Sequence, residues 1–486
     1  MNNHYRNIAS LAWPVLIGQW AVMIAGVIDT IMAGRTSATD VAAVGLGASI
    51  FITVHVALLG IVLGLSPIIA QNYGARRLPA IGINVTQGLW LAFFLAIPGC
   101  IALAWTEPWL RLSQPPAEVA VRTQQYLWAV AAGLPAALLF RVYSALNNAT
   151  SRPKVVMIIN LIELVLKVPL NALFIGGWYA DQPGAWFSIP ALGGPGCGVA
   201  TALIEWVTAI VAMVWLVRDP WYRQFHLFKS LAPAWNGLKE LLRIGLPIGA
   251  SYAVEITSFT FIALFVARFG AHVGASNQIA SNVAGVCYMV ILSISNATSV
   301  LTAQAIGAGS RQSERRIVYA GFRMLLIAAA TIALLLWLFS SGVAAIYTRD
   351  PQVIALTVPL LTLVAMFHVF DAMQTFFASV LRAYKVATLP TVVYILALWG
   401  VGLGGGWWLT FAPPAGTWLA QFSGESGGAA GFWVAGIASL VVAAIGLAMI
   451  LAATWRRRSA AAAAAALAAA SGAARTARVS SQPASR

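Results

Sequence analysis

The segment that decides the fold is RIGLPIGASYAVEITSFTFIALFVARFG, residues 243–270. As a helix it is long enough to cross a hydrocarbon layer of ~30 Å, and Arg243 and Arg268 are its only positive charges. Glu255 lies between them, roughly 18 Å from either arginine at a helical rise of about 1.5 Å per residue. Because a charge in mid-membrane is costly, such a carboxylate usually faces an ion or substrate path. The alternative is a glutamate that is protonated or paired for packing alone.

The composition predicts a helical membrane protein. Of 486 residues, 60% are hydrophobic and 9% are charged, whereas soluble domains carry about 25% charged residues. Apolar runs of about twenty residues recur along the chain, which favours helices over the alternating segments of a β-barrel. We expect twelve spans, at residues 8–32, 45–72, 85–107, 121–147, 155–177, 194–217, 241–268, 277–306, 317–340, 353–382, 388–411 and 430–454.

The charge distribution predicts the orientation of these spans. The net charge is +15, and a cytoplasmic N-terminus places 21 of the 29 Lys and Arg residues on the cytoplasmic side and five outside. This asymmetry is the positive-inside rule, so we expect both termini in the cytoplasm and no nucleic-acid partner. The three cysteines lack ligand-like spacing, so the sequence indicates neither a disulfide framework nor a zinc site.

The chain divides at a basic connection after the sixth span. We predict an N-terminal six-helix lobe (1–217), a cytoplasmic linker (218–240), a C-terminal six-helix lobe (241–455) and an alanine-rich cytoplasmic tail (456–486). Two outer loops rich in Gly and Pro, residues 176–196 and 411–428, are interpreted as structured lips or as disordered caps.

The two predicted lobes repeat one another. AQNYGARR (70–77) corresponds to AQAIGAGS (303–310), so that Gln71 matches Gln304 and Gly74 matches Gly307, each pair 233 positions apart. Pro14 and Pro247 share this offset. Because each repeat holds an even number of spans, both copies enter from the same side. The prediction is therefore parallel repeats around a central cavity.

Three carboxylates break the repeat and are therefore not part of its shared scaffold. Glu255 aligns with Val22, Asp29 aligns with Ile262, and Asp371 falls opposite Pro135 at a local offset of 236. Asp371 precedes Arg382 by eleven residues, about 16 Å of helix, so we expect it to share a mid-membrane site with Glu255. Two carboxylates in a low-dielectric cavity favour either a shared cation or protonation of one of them.

Other polar residues have alternative interpretations. Tyr288 is either an aromatic face for organic cations or ordinary core. Asp29 lies in the outer half of the first lobe, and its alternative role is to snorkel toward Arg35. Glu163 and Lys167, spaced i,i+4, are expected to neutralise each other.

The opening of the chain resembles a known transporter family. WPVLIGQWAVMIAGVIDTIMAGR (13–35), followed by DVAAVGLG (40–47), is similar to the start of the multidrug and toxic compound extrusion (MATE) family. LRAYKVATLP (381–390) resembles the end of that family's tenth helix more loosely, with Ala383 and Val386 where a glycine and an acidic residue are commoner. The resemblance covers about residues 8 to 455 and is closest to the NorM-like branch.

The resemblance implies roles for six residues. Glu255, Asp371 and Asp29 would bind or couple the driving cation, with Glu255 and Asp371 as the candidate Na⁺ ligands. Three further residues would lie near the drug and the cation and contact the substrate: Tyr288, Gln278 and Asp350.

The expected function is therefore cation-coupled efflux of amphipathic, often cationic, drugs across a bacterial inner membrane. The coupling ion is Na⁺ or H⁺, no other cofactor is implied, and we expect a monomer surrounded by membrane lipid. A flippase for lipid-linked sugars is the alternative, although it would require several arginines in the cavity. The sequence contains no H-E-x-x-H or G-x-S-x-G motif, so an enzyme is not indicated.

Overall fold

In the part of the first half that the structure describes, the chain forms eight α-helices. The computed structural model describes residues 2–178, 188–227, 229, 232–412 and 424–480. The helices of this half are α1 Asn2–Gly34, α2 Ala38–Leu63, α3 Leu65–Gly74, α4 Leu78–Ala104, α5 Glu107–Ser113, α6 Ala117–Ala149, α7 Pro153–Gly176 and α8 Pro195–Arg218.

The described part of the second half forms eight further α-helices, a short 3-10 helix at Ala267–Phe269 and one π-helical segment, Ile395–Gly404, between α14 and α15. The helices are α9 Trp235–Val266, α10 Ala271–Gly307, α11 Arg311–Leu338, α12 Ser340–Tyr347, α13 Pro351–Ala383, α14 Thr388–Tyr394, α15 Gly405–Phe411 and α16 Gly424–Ser480. In the described part of the chain, twelve helical segments are long and apolar enough to cross a membrane, which confirms the predicted number of spans.

Several helices begin earlier than the hydropathy pattern predicts. Helix α1 starts at Asn2, not at residue 8, and α9 starts at Trp235, not at residue 241. Hydropathy marks only the part of a helix inside hydrocarbon, whereas backbone hydrogen bonds continue the helix into the polar interface. The second span also breaks, because α2 ends at Leu63 and α3 begins at Leu65.

Only parts of the predicted outer lips can be described. In the first loop, residues 176–196, the backbones of Trp178 and Ile189 form two hydrogen bonds of 2.9 Å with each other. These bonds hold the two sides of the loop together. Residues 179–187 and 413–423 lie outside the described residues, so the interpretation of the loop tips stays a prediction. The division at residues 218–240 also stays a prediction, and its first part forms a 3-10 turn, Pro220–Phe225.

The six-helix halves each have their own buried core, and they meet through small residues. One cluster of buried apolar side chains belongs mainly to the first half and two belong mainly to the second. Where α2 crosses α9, a Cβ on Gly60 would overlap Gly249, and a Cβ on Gly64 would overlap Gly245. Close backbone approach of this kind is the usual way in which membrane helices associate.

At the end of the bundle where α3 and α10 finish, two glutamines join the halves. Gln71 Nε2 donates to the Ala383 carbonyl at 2.8 Å. Its repeat equivalent, Gln304, donates through Nε2 to the Ala149 carbonyl at 2.8 Å. Two hydrogen bonds thus connect the halves, and their donors are equivalent residues of the internal repeat.

Candidate functional site

A cavity of about 590 Å³ lies between the two halves. Its walls come from α1, α2, α3, α6, α7 and α8 on one side and from α9, α10 and α13 on the other. Among the described residues, seven charged side chains line it: Asp29, Arg141, Glu163, Lys167, Glu205, Glu255 and Arg382. An apolar cavity that contains a few convergent polar groups is the usual form of a small-molecule site.

The structure brings Glu255 and Asp371 into one small chamber of about 40 Å³ within the second half. Asp371 is buried, and its Oδ1 accepts a hydrogen bond of 2.8 Å from Gln374 Nε2. Gln374 Oε1 in turn accepts a short hydrogen bond from the Tyr394 hydroxyl. These two hydrogen bonds orient the Asp371 carboxylate in the chamber.

Glu255 lies where three cavities meet. It lines the chamber that contains Asp371, the central cavity, and a third space of about 30 Å³ next to Tyr252 and Tyr288. Among the described residues, its carboxylate has no hydrogen bond or ion pair to another side chain. Glu255 is therefore an unpaired carboxylate, within the described residues, that lies between the central cavity and the Asp371 chamber.

Arg382 lies at the central cavity, although it is the last residue of the predicted span 353–382. Its Nη1 donates to the Tyr252 hydroxyl at 2.9 Å, and its Nη2 donates to Ser379 Oγ at 2.6 Å. The guanidinium lies 5.8 Å from the centroid of the Tyr252 ring. These neutral partners orient Arg382 without pairing it to Glu255, so both charges remain available at the cavity wall.

The first half contains a buried ion pair that the sequence analysis did not predict. Lys167 Nζ lies 2.9 Å from Asp29 Oδ2, and Asn171 Nδ2 donates to Asp29 Oδ1 at 2.7 Å. Lys167 also donates to Thr201 Oγ1 at 2.5 Å. Within the described residues, Lys167 thus forms its ion pair with Asp29 and not with Glu163, and the alternative that Asp29 reaches toward Arg35 is wrong. The i,i+4 spacing places Glu163 and Lys167 on one face of α7, but the lysine side chain extends across to α1.

The three residues expected to contact substrate are not together. Tyr288 lies on the wall shared by the central cavity and the space beside Glu255. Gln278 is exposed on α10 and lines none of these cavities, whereas its neighbour Asn277 is buried and lines the Asp371 chamber. A shift of one residue turns a helical side chain by about 100°.

Asp350 lies at the N-terminus of α13, away from these cavities. Its Oδ1 accepts a hydrogen bond of 2.8 Å from the backbone N–H of Gln352, and His272 Nε2 lies 3.7 Å from its Oδ2. This carboxylate caps a helix. The geometry thus gives no support to substrate contact by Gln278 or Asp350.

Sequence reasoning missed several residues that build the chamber. Gln374 follows Asp371 by three positions, so their shared helix face was available as a signal. Asn277 lines the chamber from α10, and its Oδ1 accepts a hydrogen bond from Trp433 Nε1 at 3.0 Å. Tyr394 of α14 lines the neighbouring space and supports the chamber through its hydrogen bond to Gln374. Nothing in the sequence places these helices around Asp371.

The fold and the cavity define a twelve-span helical membrane protein whose two halves enclose a charged central site. The MatE family model matches residues 14–173 and 247–408, and its two matches begin 233 positions apart, in agreement with the internal repeat. The chain belongs to the MatE family.

Relatives with related sequences carry names that refer to multidrug resistance. A probable multidrug resistance protein NorM from Aromatoleum aromaticum is 37% identical over 92% of this chain and 93% of its own length. The multidrug resistance protein NorM of Vibrio vulnificus is 34% identical over 90% and 93%, respectively.

Solved structures agree with the fold. A eukaryotic MATE transporter superposes with a TM-score of 0.80 at 17% identity, over 92% of this chain and 95% of that chain. A multidrug resistance MATE family transporter in an outward-facing conformation gives 0.79 at 19% identity, over 92% and 96%. At these identities the superpositions establish the fold alone.

Proposed function

We propose that this chain is a cation-coupled multidrug exporter for amphipathic, often cationic, compounds. The observation that carries the proposal is the position of Glu255 between the central cavity and the buried Asp371 chamber. The sequence relatives that are named for multidrug resistance support it. A cavity lined by apolar side chains accepts the body of a drug, and its carboxylates attract the drug's positive charge.

Coupling follows from competition for the two carboxylates. A cation that enters from the central cavity meets Glu255 first and then reaches Asp371, where oxygen ligands suit Na⁺ and a carboxylate suits a proton. Occupation of the pair by the driving cation weakens the attraction for a cationic drug. By linkage, the drug weakens binding of the driving cation by the same factor.

The proposed location is a bacterial inner membrane, with both termini in the cytoplasm. The excess of Lys and Arg on one side supports this orientation, and the names of the bacterial relatives support the location. In this orientation, the end closed by Gln71 and Gln304 is cytoplasmic. Asp29 and its partner Lys167 then line the outer half of the cavity.

The sugar-lipid flippase is not favoured by the cavity. A flippase for polyanionic lipids would need an excess of cationic groups, whereas the seven charged residues comprise four carboxylates and three cationic groups. Lys167 is already engaged by Asp29. The remaining charged side chains among the described lining residues are three carboxylates and two arginines, so the cavity has no excess of cationic groups.

Transport by purified protein in proteoliposomes tests the proposal. Ethidium, a lipophilic monocation, is loaded inside, and an inward Na⁺ gradient or an inward proton gradient is imposed separately. We expect at least one gradient to accelerate ethidium export, and proteoliposomes that contain Asp371→Asn to lose the acceleration. Ethidium movement that is unaffected by either gradient would contradict coupled export.

A further inference from the structure

A pocket of about 410 Å³ lies away from the central cavity, where the N-terminus of α11 meets α16. Four arginines line it: Arg311, Arg315, Arg316 and Arg458. Glu314 is the only carboxylate among the described lining residues, so the pocket carries a clear excess of positive charge. No step of the proposed transport cycle uses this pocket.

The single carboxylate of the pocket is already engaged. Glu314 is buried, and its Oε1 accepts a hydrogen bond of 2.5 Å from the Tyr384 hydroxyl. Arg458 Nη2 lies 3.5 Å from Glu314 Oε2, and Trp455 Nε1 donates to the Tyr384 hydroxyl at 2.7 Å. Burial and the Glu314 carboxylate both raise the pKa of Tyr384, which keeps this donor neutral. The network therefore holds Glu314 and Arg458 in place.

The other three arginines remain without a carboxylate partner within the described residues. Arg311 and Arg316 are exposed, and Arg315 donates to Ser459 Oγ at 3.0 Å while its guanidinium lies 5.6 Å from the Trp455 ring centroid. Helix α11 is 28 residues long and no side chain caps its N-terminus at Ser310. The positive end of its dipole therefore adds to the field of the arginines.

The surroundings of the pocket place it at the membrane interface. Tyr319 lines the pocket one turn beyond Arg315, and its ring is 57% exposed. Further along the same helix, Ile327 and Leu334 are exposed apolar residues of a membrane span. Aromatic side chains commonly mark the boundary between hydrocarbon and headgroups. The arginines thus lie at headgroup depth, next to a lipid-facing surface.

The internal repeat shows that the helical scaffold does not require these charges. The offset of 233 places Leu78, Gly82 and Ile83 of α4 opposite Arg311, Arg315 and Arg316. A Cβ on Gly82 would overlap the Phe225 carbonyl, so the linker packs against the equivalent surface of the first half. The basic pocket belongs to the second half alone.

From this arrangement we propose that Arg311, Arg315, Arg316 and Arg458 bind the phosphate of an anionic phospholipid headgroup. Guanidinium groups bind phosphate oxygens through paired hydrogen bonds, and basic pockets between spans are known to hold such headgroups. The acyl chains of the lipid would lie along the exposed apolar face of α11. The inference is independent of which drug or which driving cation is transported.

Native mass spectrometry of the full-length protein in detergent tests this proposal. The probes are dioleoylphosphatidylglycerol, its zwitterionic analogue dioleoylphosphatidylcholine, and inorganic phosphate. The test variant is Arg311→Gln with Arg316→Gln, since both side chains are exposed and lack ion pairs within the described residues. The matched control is Arg218→Gln with Lys239→Gln, which removes the same charge from exposed positions on the same side of the bundle.

We expect wild type and the control to prefer phosphatidylglycerol over phosphatidylcholine, and the test variant to bind phosphatidylglycerol about tenfold more weakly or worse. Phosphatidylcholine binding should not change in either variant. If the double variant expresses poorly, Arg315→Gln alone provides an independent measurement of phosphatidylglycerol binding. Retention of the preference in both test variants would overturn the proposal, as would an equal loss in the control. Displacement of the lipid by millimolar inorganic phosphate would instead assign the pocket to free phosphate and overturn the lipid assignment.

Discussion

Gly74 and Gly307 pack against each other's helices at the closed end of the bundle. A Cβ on Gly74 would overlap the carbonyl of Gln304, and a Cβ on Gly307 would overlap the carbonyl of Gln71. These four residues are two pairs of repeat equivalents, so the contact follows the symmetry of the internal repeat. The backbones of α3 and α10 are in direct contact here, and only glycine permits so close an approach.

We therefore expect Gly74→Val to open this end of the bundle. The added side chain overpacks the contact at a cost of about 1–3 kcal/mol, which disfavours the closed arrangement while leaving each half folded. The measurement is the distance between spin labels on cysteines introduced at Arg77 and Ala308, in a background without native cysteines. It should lengthen in the variant.

Gly285→Ala is the matched control for this experiment. Gly285 lies on α10, the helix that Gly74 contacts, but nothing lies within 4 Å of a Cβ placed there. The control should keep the wild-type distance. If Gly74→Val also keeps it, the glycine contact does not hold the end closed.

The carboxylates of the Asp371 chamber should act as one unit. Glu255→Gln and Asp371→Asn each remove a charge and preserve shape, so each should abolish gradient-driven drug efflux in proteoliposomes while the protein inserts normally. The double variant should lose little more efflux activity than either single variant does, because the effects of substitutions at neighbouring residues of one site do not add.

Asp350→Asn provides the control for that series. Asp350 caps α13 outside the cavities, and asparagine is an equally good cap. Efflux should therefore persist near the wild-type rate. Full sodium- and proton-driven efflux by both Glu255→Gln and Asp371→Asn would show that the site is assigned wrongly.

The Asp29–Lys167 pair should matter more for stability than for coupling. Lys167→Met leaves the Asp29 carboxylate buried without its cation, which should destabilise the protein by about 3–5 kcal/mol. The readout is the melting temperature in detergent. Lys154→Met, at an exposed position of the same helix, should melt like wild type.

A second substitution separates charge from packing at this pair. Lys167→Met combined with Asp29→Asn removes the unpaired charge, so the double variant should melt closer to wild type than Lys167→Met does. A double variant that melts as low as the single one would mean that the lysine contributes by packing and not through its charge.

The orientation of the chain is tested by labelling introduced cysteines in whole cells. Pro115 lies between α5 and α6 and Ser313 lies at the start of α11. We expect a membrane-impermeant maleimide to label a cysteine at position 115 and not one at position 313. Labelling of both positions from the same side would contradict the twelve-span topology with cytoplasmic termini.

Much of the fold could be predicted because it depends on local composition. Twelve apolar runs predict twelve spans, since lipid permits only backbone that is hydrogen-bonded within its own segment. The offset between Gln71 and Gln304 predicts two similar halves. The break at Gly64 and the π-helical segment at Ile395–Gly404 could not be predicted, since each depends on packing against another helix.

The candidate site was predictable only in part. Glu255 and Asp371 stand out because each is a charge in mid-membrane and each breaks the repeat. Gln278 was predicted to contact substrate, but it is its neighbour Asn277 that lines the chamber. A family resemblance does not determine which side of a helix faces inward. The partner of Lys167 was also predicted wrongly, because spacing along one helix says nothing about a carboxylate on another.

By itself, the sequence determined the class of protein, the number of spans and the repeat, and it predicted a mid-membrane depth for Glu255 and Asp371. These properties follow from hydrophobicity, length and helical rise, which act along the chain. Only the tertiary structure decided that Glu255 joins the central cavity to the Asp371 chamber, that Arg382 turns inward onto Tyr252, and that Lys167 belongs to Asp29. Those relationships are set by how the helices pack against one another, and the energies of packing depend on neighbours that are distant in sequence.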